Sequence, residues 1–405
     1  MSDYQVLAIL AGFAFVYSVI AARIEKTPFS GAVVYLAFGL ICGPSVLAVF
    51  NVQMDQDGLK QLAEWTLALV LFTDSAKANL PVLRRSKWIP IRLLVIGLPL
   101  TIVAGGLAGW MFFPNLTWVE IALLATILAP TDAALGQAVV TNPSVPASVR
   151  ESLNVESGLN DGICVPVLLI FLSLGLDSFG NATTQELVTR LPLQEIGIGA
   201  GVGLALALSG SWLVHTCGSR NWLAGTWRQV PIVALALLML ALAQQLGGSG
   251  FIACFVGGLV FGGTTHRHKN QLLDGADCTG KVFSMLTWFL FGAVAVGQSL
   301  QQLSPTIFLY AILSLTVLRM VPVMICLLGL KLRLDTQCFI GWFGPRGLAS
   351  IVFIVMASHS NLPGNETLVA VATWTITLSI IAHGISAVPL ATVFGDRVTR
   401  RDGAL

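Results

Sequence analysis

The feature that most constrains this chain is a succession of apolar stretches, mostly about 17 to 25 residues long and divided by short polar breaks. A helix rising about 1.5 Å per residue crosses a hydrocarbon core about 30 Å thick within such a stretch. Thirteen fall near residues 5–22, 30–50, 59–76, 89–113, 118–140, 151–176, 194–217, 229–246, 250–264, 281–300, 306–330, 337–358 and 367–394. Only Gly247-Gly248-Ser249-Gly250 divides the eighth from the ninth. Lipid offers backbone amides no partner, so segments of this kind satisfy their own hydrogen bonds as helices. The expected fold is therefore an all-α polytopic membrane protein with about 13 transmembrane helices.

Composition agrees. Charged residues make up 10% of the 405, against about a quarter in soluble domains, and 55% are hydrophobic, which excludes both an ordinary soluble domain and a disordered chain. The 40 glycines show no Gly-X-Y period and suit close helix packing in lipid. A net charge of +2 with no massed basic run gives no nucleic-acid signature. Seven scattered cysteines form no CxxC and no zinc spacing, so they read as packing residues; no zinc site, disulfide framework or cofactor is expected.

The basic residues test the count of spans. Taking alternate loops, Arg23, Lys26, Lys77, Arg84, Arg85, Lys87, Arg92, Arg150, Arg220, Arg228, Arg267, Lys269, Lys281, Lys331, Arg333, Arg397, Arg400 and Arg401 fall on one side. Lys60 and Arg190 fall on the other, while Arg319 and Arg346 lie inside helices. The positive-inside rule then places the N-terminus outside and the C-terminus in the cytoplasm. The first stretch lacks the basic n-region of a cleaved leader and reads as a retained helix. A short basic tail follows the last span, so the expectation is a single membrane domain over 1–405 with no soluble regulatory domain, its halves divided near His266-Arg267-His268-Lys269.

Charge within a spanning helix is costly and points to function. Asp132 lies roughly 21 Å along its helix from Trp118, Asp161 roughly 16 Å from Arg150, and Arg346 roughly 20 Å from Arg333. All three reach the middle third of the bilayer, and Glu156, Asp74 and Arg319 are further charges within spans. The fifth span contains Ala129-Pro130-Thr131-Asp132, where proline removes a backbone donor. The twelfth contains Gly341-Trp342-Phe343-Gly344-Pro345-Arg346-Gly347, with three glycines and a proline in seven residues. Broken helices free carbonyls and expose half-helix dipoles, which form ion sites. The breaks at Pro130 and at Gly344, Pro345 and Gly347 are seven spans apart, and an odd offset reverses orientation. This is the pattern of inverted-topology repeats with two crossing broken helices, the fifth and twelfth.

The sixth span reads Glu156-Ser157-Gly158-Leu159-Asn160-Asp161-Gly162. Spacing of four stacks Ser157 with Asp161 and Glu156 with Asn160, while Gly158 and Gly162 let another helix approach. A carboxylate removed from water holds either a proton or a cation, and that competition suffices for antiport. Asp161, Asp132, Ser157 and the Thr131 backbone or hydroxyl supply the oxygens that hard monovalent cations prefer. Arg346 keeps its charge and needs a partner, for which Glu156 is the best candidate. Asn160 is neutral beside Asp161, so one exchangeable charge gives a one-for-one, electroneutral cycle.

These segments together resemble the monovalent cation:proton antiporter family of the sodium/proton exchanger type, including bacterial NhaP-like members. The likeness rests on Thr131-Asp132, on Glu156-Ser157-Gly158-Leu159-Asn160-Asp161 and on Gly344-Pro345-Arg346-Gly347, and its hydropathy extends over essentially the whole chain. It implies that Asp161 exchanges proton and cation, assisted by Asp132, Ser157 and the Thr131 backbone, with Glu156–Arg346 as a core ion pair. Asp74, in Leu71-Phe72-Thr73-Asp74, is similar to an acidic position of the third helix, and Arg319 to a basic one of the eleventh. Ala133 replaces the proline that follows Thr-Asp in many relatives, leaving the break to Pro130. The resemblance further implies a homodimer in the cytoplasmic membrane, with helices 1–3 and 8–10 as scaffold and helices 4–6 and 11–13 as a moving core. Helix 7, with glycines at 197, 199, 201 and 203, would connect them.

Two rival readings are weaker. An intramembrane aspartyl hydrolase using Asp132 and Asp161 lacks a Gly-x-Gly-Asp motif and leaves Arg346 and Glu156 unexplained. A cation channel calls for a continuous polar pore rather than broken helices around one midplane carboxylate. His215, His266, His268, His359 and His383 read as interfacial or packing residues before pH sensors. The donor set does not separate Na+ from K+ or Li+.

Overall fold

The computed structural model describes residues 3–24, 27, 30–49, 56–78, 87–132, 135, 137–140, 142, 144–175, 184–265, 269–358, 360 and 362–402. Ala133, His266, His268 and His359 lie outside them. All regular structure among the described residues is helical. In chain order the helices are α1 (Asp3–Ile24), α2 (Gly31–Cys42), α3 (Gln56–Lys77), α4 (Trp88–Phe112), α5 (Trp118–Ile127), α6 (Gln137–Val140) and α7 (Ala147–Gly175). There follow α8 (Thr184–Ser219), α9 (Val230–Gln245), α10 (Gly250–Thr264), α11 (Lys269–Gln302), α12 (Pro305–Cys326), α13 (Leu334–Trp342), α14 (Leu348–Ser358) and α15 (Asn365–Asp402). Among the described residues, seven helices are long and apolar enough to cross a membrane.

The hydropathy boundaries differ from the helices where polar residues extend a helix beyond its apolar stretch. α11 begins at Lys269 rather than near 281, because Leu272, Leu273 and Ala276 bury one face while Asp274 and Cys278 face outward. α8 begins at Thr184, and α15 runs on to Asp402. The narrow break between α9 and α10 holds: Gly247 takes a φ of 77°, and the Ser249 hydroxyl accepts from the Ile252 N–H to start α10.

Two groups of helices pack among themselves. α3 lies against α10 and α11, α10 also contacts α8 and α9, and α2 lies on α11. In the other group α5 lies between α4 and α7, while α15 packs on α12 and α14. Gly199 and Gly203 let α8 meet α10 at backbone distance, since a Cβ would fall 2.5 Å from the Ser249 carbonyl or 2.4 Å from that of Ala253. Gly197 and Gly201 face open space. The groups meet where α3 and α10 touch α7 and where α3 and α11 touch α14, and Asp74, Asp132, Asp161, Asp277 and Lys281 line one cavity there.

Candidate functional site

α5 starts with a capping box: Thr117 and Glu120 satisfy each other's backbone N–H groups. The buried Glu120 carboxylate also accepts from the Gly364 N–H at 2.5 Å, pinning the start of α5 to that of α15. The helix stops at Ile127, because Pro130 has no N–H to continue the ladder, and 130–132 run non-helical before α6. In the second break α13 stops at Trp342 and residues 343–347 are non-helical before α14.

The two breaks cross and hold each other. Asp132 N–H donates to the Pro345 carbonyl at 2.8 Å, and its Oδ2 accepts from the Leu348 N–H at 3.0 Å. Asp132 thus sits at the N-terminus of α14, where free amides and the helix dipole favour an anion. Position 347 has to be glycine, because a Cβ there would lie 2.0 Å from Asp132 Oδ2. Arg346 Nη1 donates to the carbonyls of Ala129 at 2.7 Å and Pro130 at 3.3 Å, filling acceptors that the interrupted helix leaves free. Ser350 Oγ donates to the Ile127 carbonyl at 2.6 Å.

One face of α15 braces the second break from behind. Ser379 Oγ accepts from the Arg346 N–H at 2.7 Å, and Ser386 Oγ accepts from Trp342 Nε1 at 2.9 Å. Between them, buried His383 places Nε2 2.9 Å from the Trp342 carbonyl, and its Nδ1 lies 3.2 Å from Ser379 Oγ. Nδ1 also lies 2.8 Å from the Ser379 carbonyl, so each ring nitrogen faces a backbone acceptor and the tautomer sets which of the two carbonyls receives the imidazole N–H.

α7 supplies the third wall. Its Ser157 hydroxyl donates to the Thr131 carbonyl, and Asn160 Nδ2 donates to Thr131 Oγ1 at 2.6 Å. Asp161 is 8% exposed, and its buried Oδ1 has no hydrogen-bond partner among the described residues. A cavity of about 130 Å³ brings Asp161, Asp132, Asp74, Thr131 and Ser157 to one space. Gly158 admits α3 beside Asp74, and Gly162 admits the Phe255 ring of α10. The arrangement can take up a small cation or a proton on oxygen donors within the helix bundle.

A family model described as "Sodium/hydrogen exchanger, transmembrane" matches residues 10–393. The chain belongs to the sodium/hydrogen exchanger family. The exchanger-family chain is 24% identical over 356 residues to the K(+)/H(+) antiporter NhaP2 of Shewanella baltica (strain OS223), covering 87% of itself and 60% of that protein. It is 23% identical over 410 residues to the K(+)/H(+) antiporter NhaP of Alkalimonas amylolytica, covering 100% of itself and 69% of that protein. In three dimensions it is similar to the sodium proton antiporter MjNhaP1 from Methanocaldococcus jannaschii, with a TM-score of 0.75, 22% identity, and coverage of 97% and 99% of the two chains. At that identity the likeness establishes the fold: an all-α, multi-pass membrane protein.

In this exchanger-family chain the expected Glu156–Arg346 pair is replaced by another. Glu156 Oε1 accepts from Arg319 Nη2, both side chains being almost fully buried. Arg346 is instead used by the carbonyls of the first break. Gly344 leaves room for the Arg319 guanidinium, since a Cβ there would lie 2.6 Å from Arg319 Nε. In the sequence Arg319 is a base inside the eleventh apolar stretch with no partner indicated. Its signal was the same as that of Arg346, a lone guanidinium deep in an apolar span. His383, Ser379 and Ser350 carried no such signal, since short polar residues and single histidines are ordinary in helices.

Proposed function

We propose that this chain is a secondary-active antiporter exchanging a monovalent cation for a proton across the cytoplasmic membrane. The observation that carries the reading is Asp161: a buried carboxylate with an unpartnered oxygen, opening onto a cavity shared with Asp132 and Asp74. Family membership and relatives named as K(+)/H(+) antiporters support it.

A proton and a cation compete for Asp161, so loading one releases the other. Asp132 supplies a second oxygen while capping α14, and Thr131 and Ser157 line the same space. Asp74 approaches from α3. Asn160 orients Thr131 and leaves Asp161 as the one exchangeable charge of its helix, giving an electroneutral 1:1 cycle. Glu156–Arg319 and Arg346 hold the crossing without exchanging ions. Na+ is the first cation to assay; K+, named for the relatives, and Li+ follow.

α4–α7 and α12–α15 form the moving ion-carrying core of this proposal, α1–α3 and α9–α11 the scaffold of a homodimer, and α8 the connector. The membrane-spanning helices have their basic ends in the cytoplasm, with the N-terminus outside. The test is transport in proteoliposomes under an imposed pH gradient, adding Na+, Li+ or K+ in turn to wild type and Asp161→Asn. The expected result is cation-dependent proton flux in wild type that is absent in the variant. Equal flux in the two removes Asp161 from the mechanism. Marked acceleration by a membrane potential removes the 1:1 stoichiometry.

A further inference from the structure

The cavity around Asp161 runs between α3 and α11 to a charged mouth. On α3, Asp74 lines it and Lys77 follows about one turn later on the same side. On α11, Asp277, Lys281 and Ser284 line it at helical spacing. Lys77 Nζ bonds Asp277 Oδ1 at 2.5 Å, and Lys281 Nζ lies 3.3 Å from Asp277 Oδ2. The three side chains are 41%, 30% and 66% exposed, so this cluster marks the open end of the cavity, whereas Asp161 is buried at the other.

The charges are arranged in an order. Two ammonium groups and one carboxylate stand at the mouth, and three carboxylates, Asp74, Asp132 and Asp161, stand within. A cation drawn by the interior meets a mouth of net positive charge. The Lys77 ammonium rides on a flexible four-carbon stem between two carboxylates, Asp277 across the mouth and Asp74 a helical turn inward. An ammonium is a monovalent cation tethered to the chain, and at Asp74 it would occupy the place of the transported ion.

We propose that Lys77 is a tethered competitor of the transported cation and that Asp277 is its latch. With Lys77 held by Asp277, the inner carboxylates are open to the ion. Released from Asp277, the ammonium turns to Asp74 and raises the cation concentration needed to load the site. Lys281 shares Asp277 and weakens the latch. The proposal rests on the exchange reading above and concerns access to Asp161, not the exchange at it.

The experiment measures cation KM and kcat in proteoliposomes for wild type, Lys77→Gln, Asp277→Asn, the double variant and Lys77→Arg, with thermal midpoints recorded for each. Lys77→Gln lowers KM roughly fivefold, and Asp277→Asn raises it by a similar factor, the scale of one unit charge a few ångströms away in water. The double variant returns to the KM of Lys77→Gln, because the latch matters only while the ammonium is present. Lys77→Arg keeps its charge and stays within about twofold of wild type. If the pair merely ties α3 to α11, Lys77→Gln and Asp277→Asn lower stability or kcat alike with KM unmoved, which overturns the proposal. A KM for the double variant equal to that of Asp277→Asn overturns it as well. Wild type without any cation-dependent proton flux overturns the exchange reading and this proposal together; flux with unmoved KM values overturns this proposal alone.

Discussion

The Arg319 guanidinium donates to the Glu156 carboxylate between α12 and α7, with side-chain exposures of 1% and 2%. Deleting one partner leaves the other charge buried and uncompensated. Arg319→Ala and Glu156→Ala are each expected to destabilise the fold by about 3–5 kcal/mol, read as a lowered thermal midpoint and folded yield in detergent. The neutral double variant Glu156→Gln/Arg319→Met should melt above either single variant, since no orphan charge remains. Wild-type midpoints for both single variants would remove the pair from the stability of the core.

At the crossing, Asp132 Oδ2 occupies the space that a side chain at 347 would need. Gly347→Ala forces the carboxylate or the α14 terminus aside by ångströms. Displacement of a reacting group by about 1 Å costs on the order of 100-fold in rate, so turnover should fall by that scale. Asp132→Asn at an intact Gly347 keeps an acceptor for the Leu348 N–H and should melt close to wild type. Retained turnover in Gly347→Ala would contradict this role for the contact.

The proposed competition at Asp161 sets a sign for pH dependence. A falling pH fills the carboxylate with protons, so the apparent cation KM rises, by up to about tenfold per pH unit where protonation dominates. At rising pH the KM levels off at the intrinsic cation affinity. The check is cation titration of proton flux at several pH values between about 6 and 9, equal on both sides of the membrane. A KM independent of pH throughout would exclude a shared site.

His383 links α15 to the end of α13 through the Trp342 carbonyl, while its Nδ1 faces the Ser379 carbonyl of its own helix at 2.8 Å. His383→Phe fills the volume but provides no donor, leaving a carbonyl in a buried, low-dielectric place. A loss of about 1–3 kcal/mol is expected from the thermal midpoint. His383→Gln, whose amide both donates and accepts, should recover part of it. Equal midpoints for the two variants would show that volume, not hydrogen bonding, is what His383 contributes.

Much of this architecture is legible in residue order. Pro130 interrupts the fifth apolar stretch and Gly344-Pro345-Arg346-Gly347 the twelfth, between α13 and α14, because a missing N–H and a missing Cβ act within a few residues. The shared face of Ser157 and Asp161 likewise follows from their spacing of four on the sixth stretch, whereas the packing of helices brings Asp132 and Thr131 to the same cavity. The partner of Glu156 was not legible. Arg319 and Arg346 are both lone guanidinium groups in apolar helices, 163 and 190 positions away along the chain, and nothing local ranks them. Lys77 likewise reads as one more base at a helix end, and its contact with Asp277 is 200 residues distant.

Sequence by itself determined that this chain enters a membrane as helices, where two of them break, and which few charges lie at depth. Those properties arise from transfer of side chains out of water and from backbone donors lost within a single turn, so they are written locally. Tertiary structure decided which buried base meets which buried acid, that Arg346 serves carbonyls, and that Asp132 caps a helix while facing the cavity. Ion pairs and hydrogen bonds act over about 3 Å, and only the packing of helices remote in sequence sets distances that small.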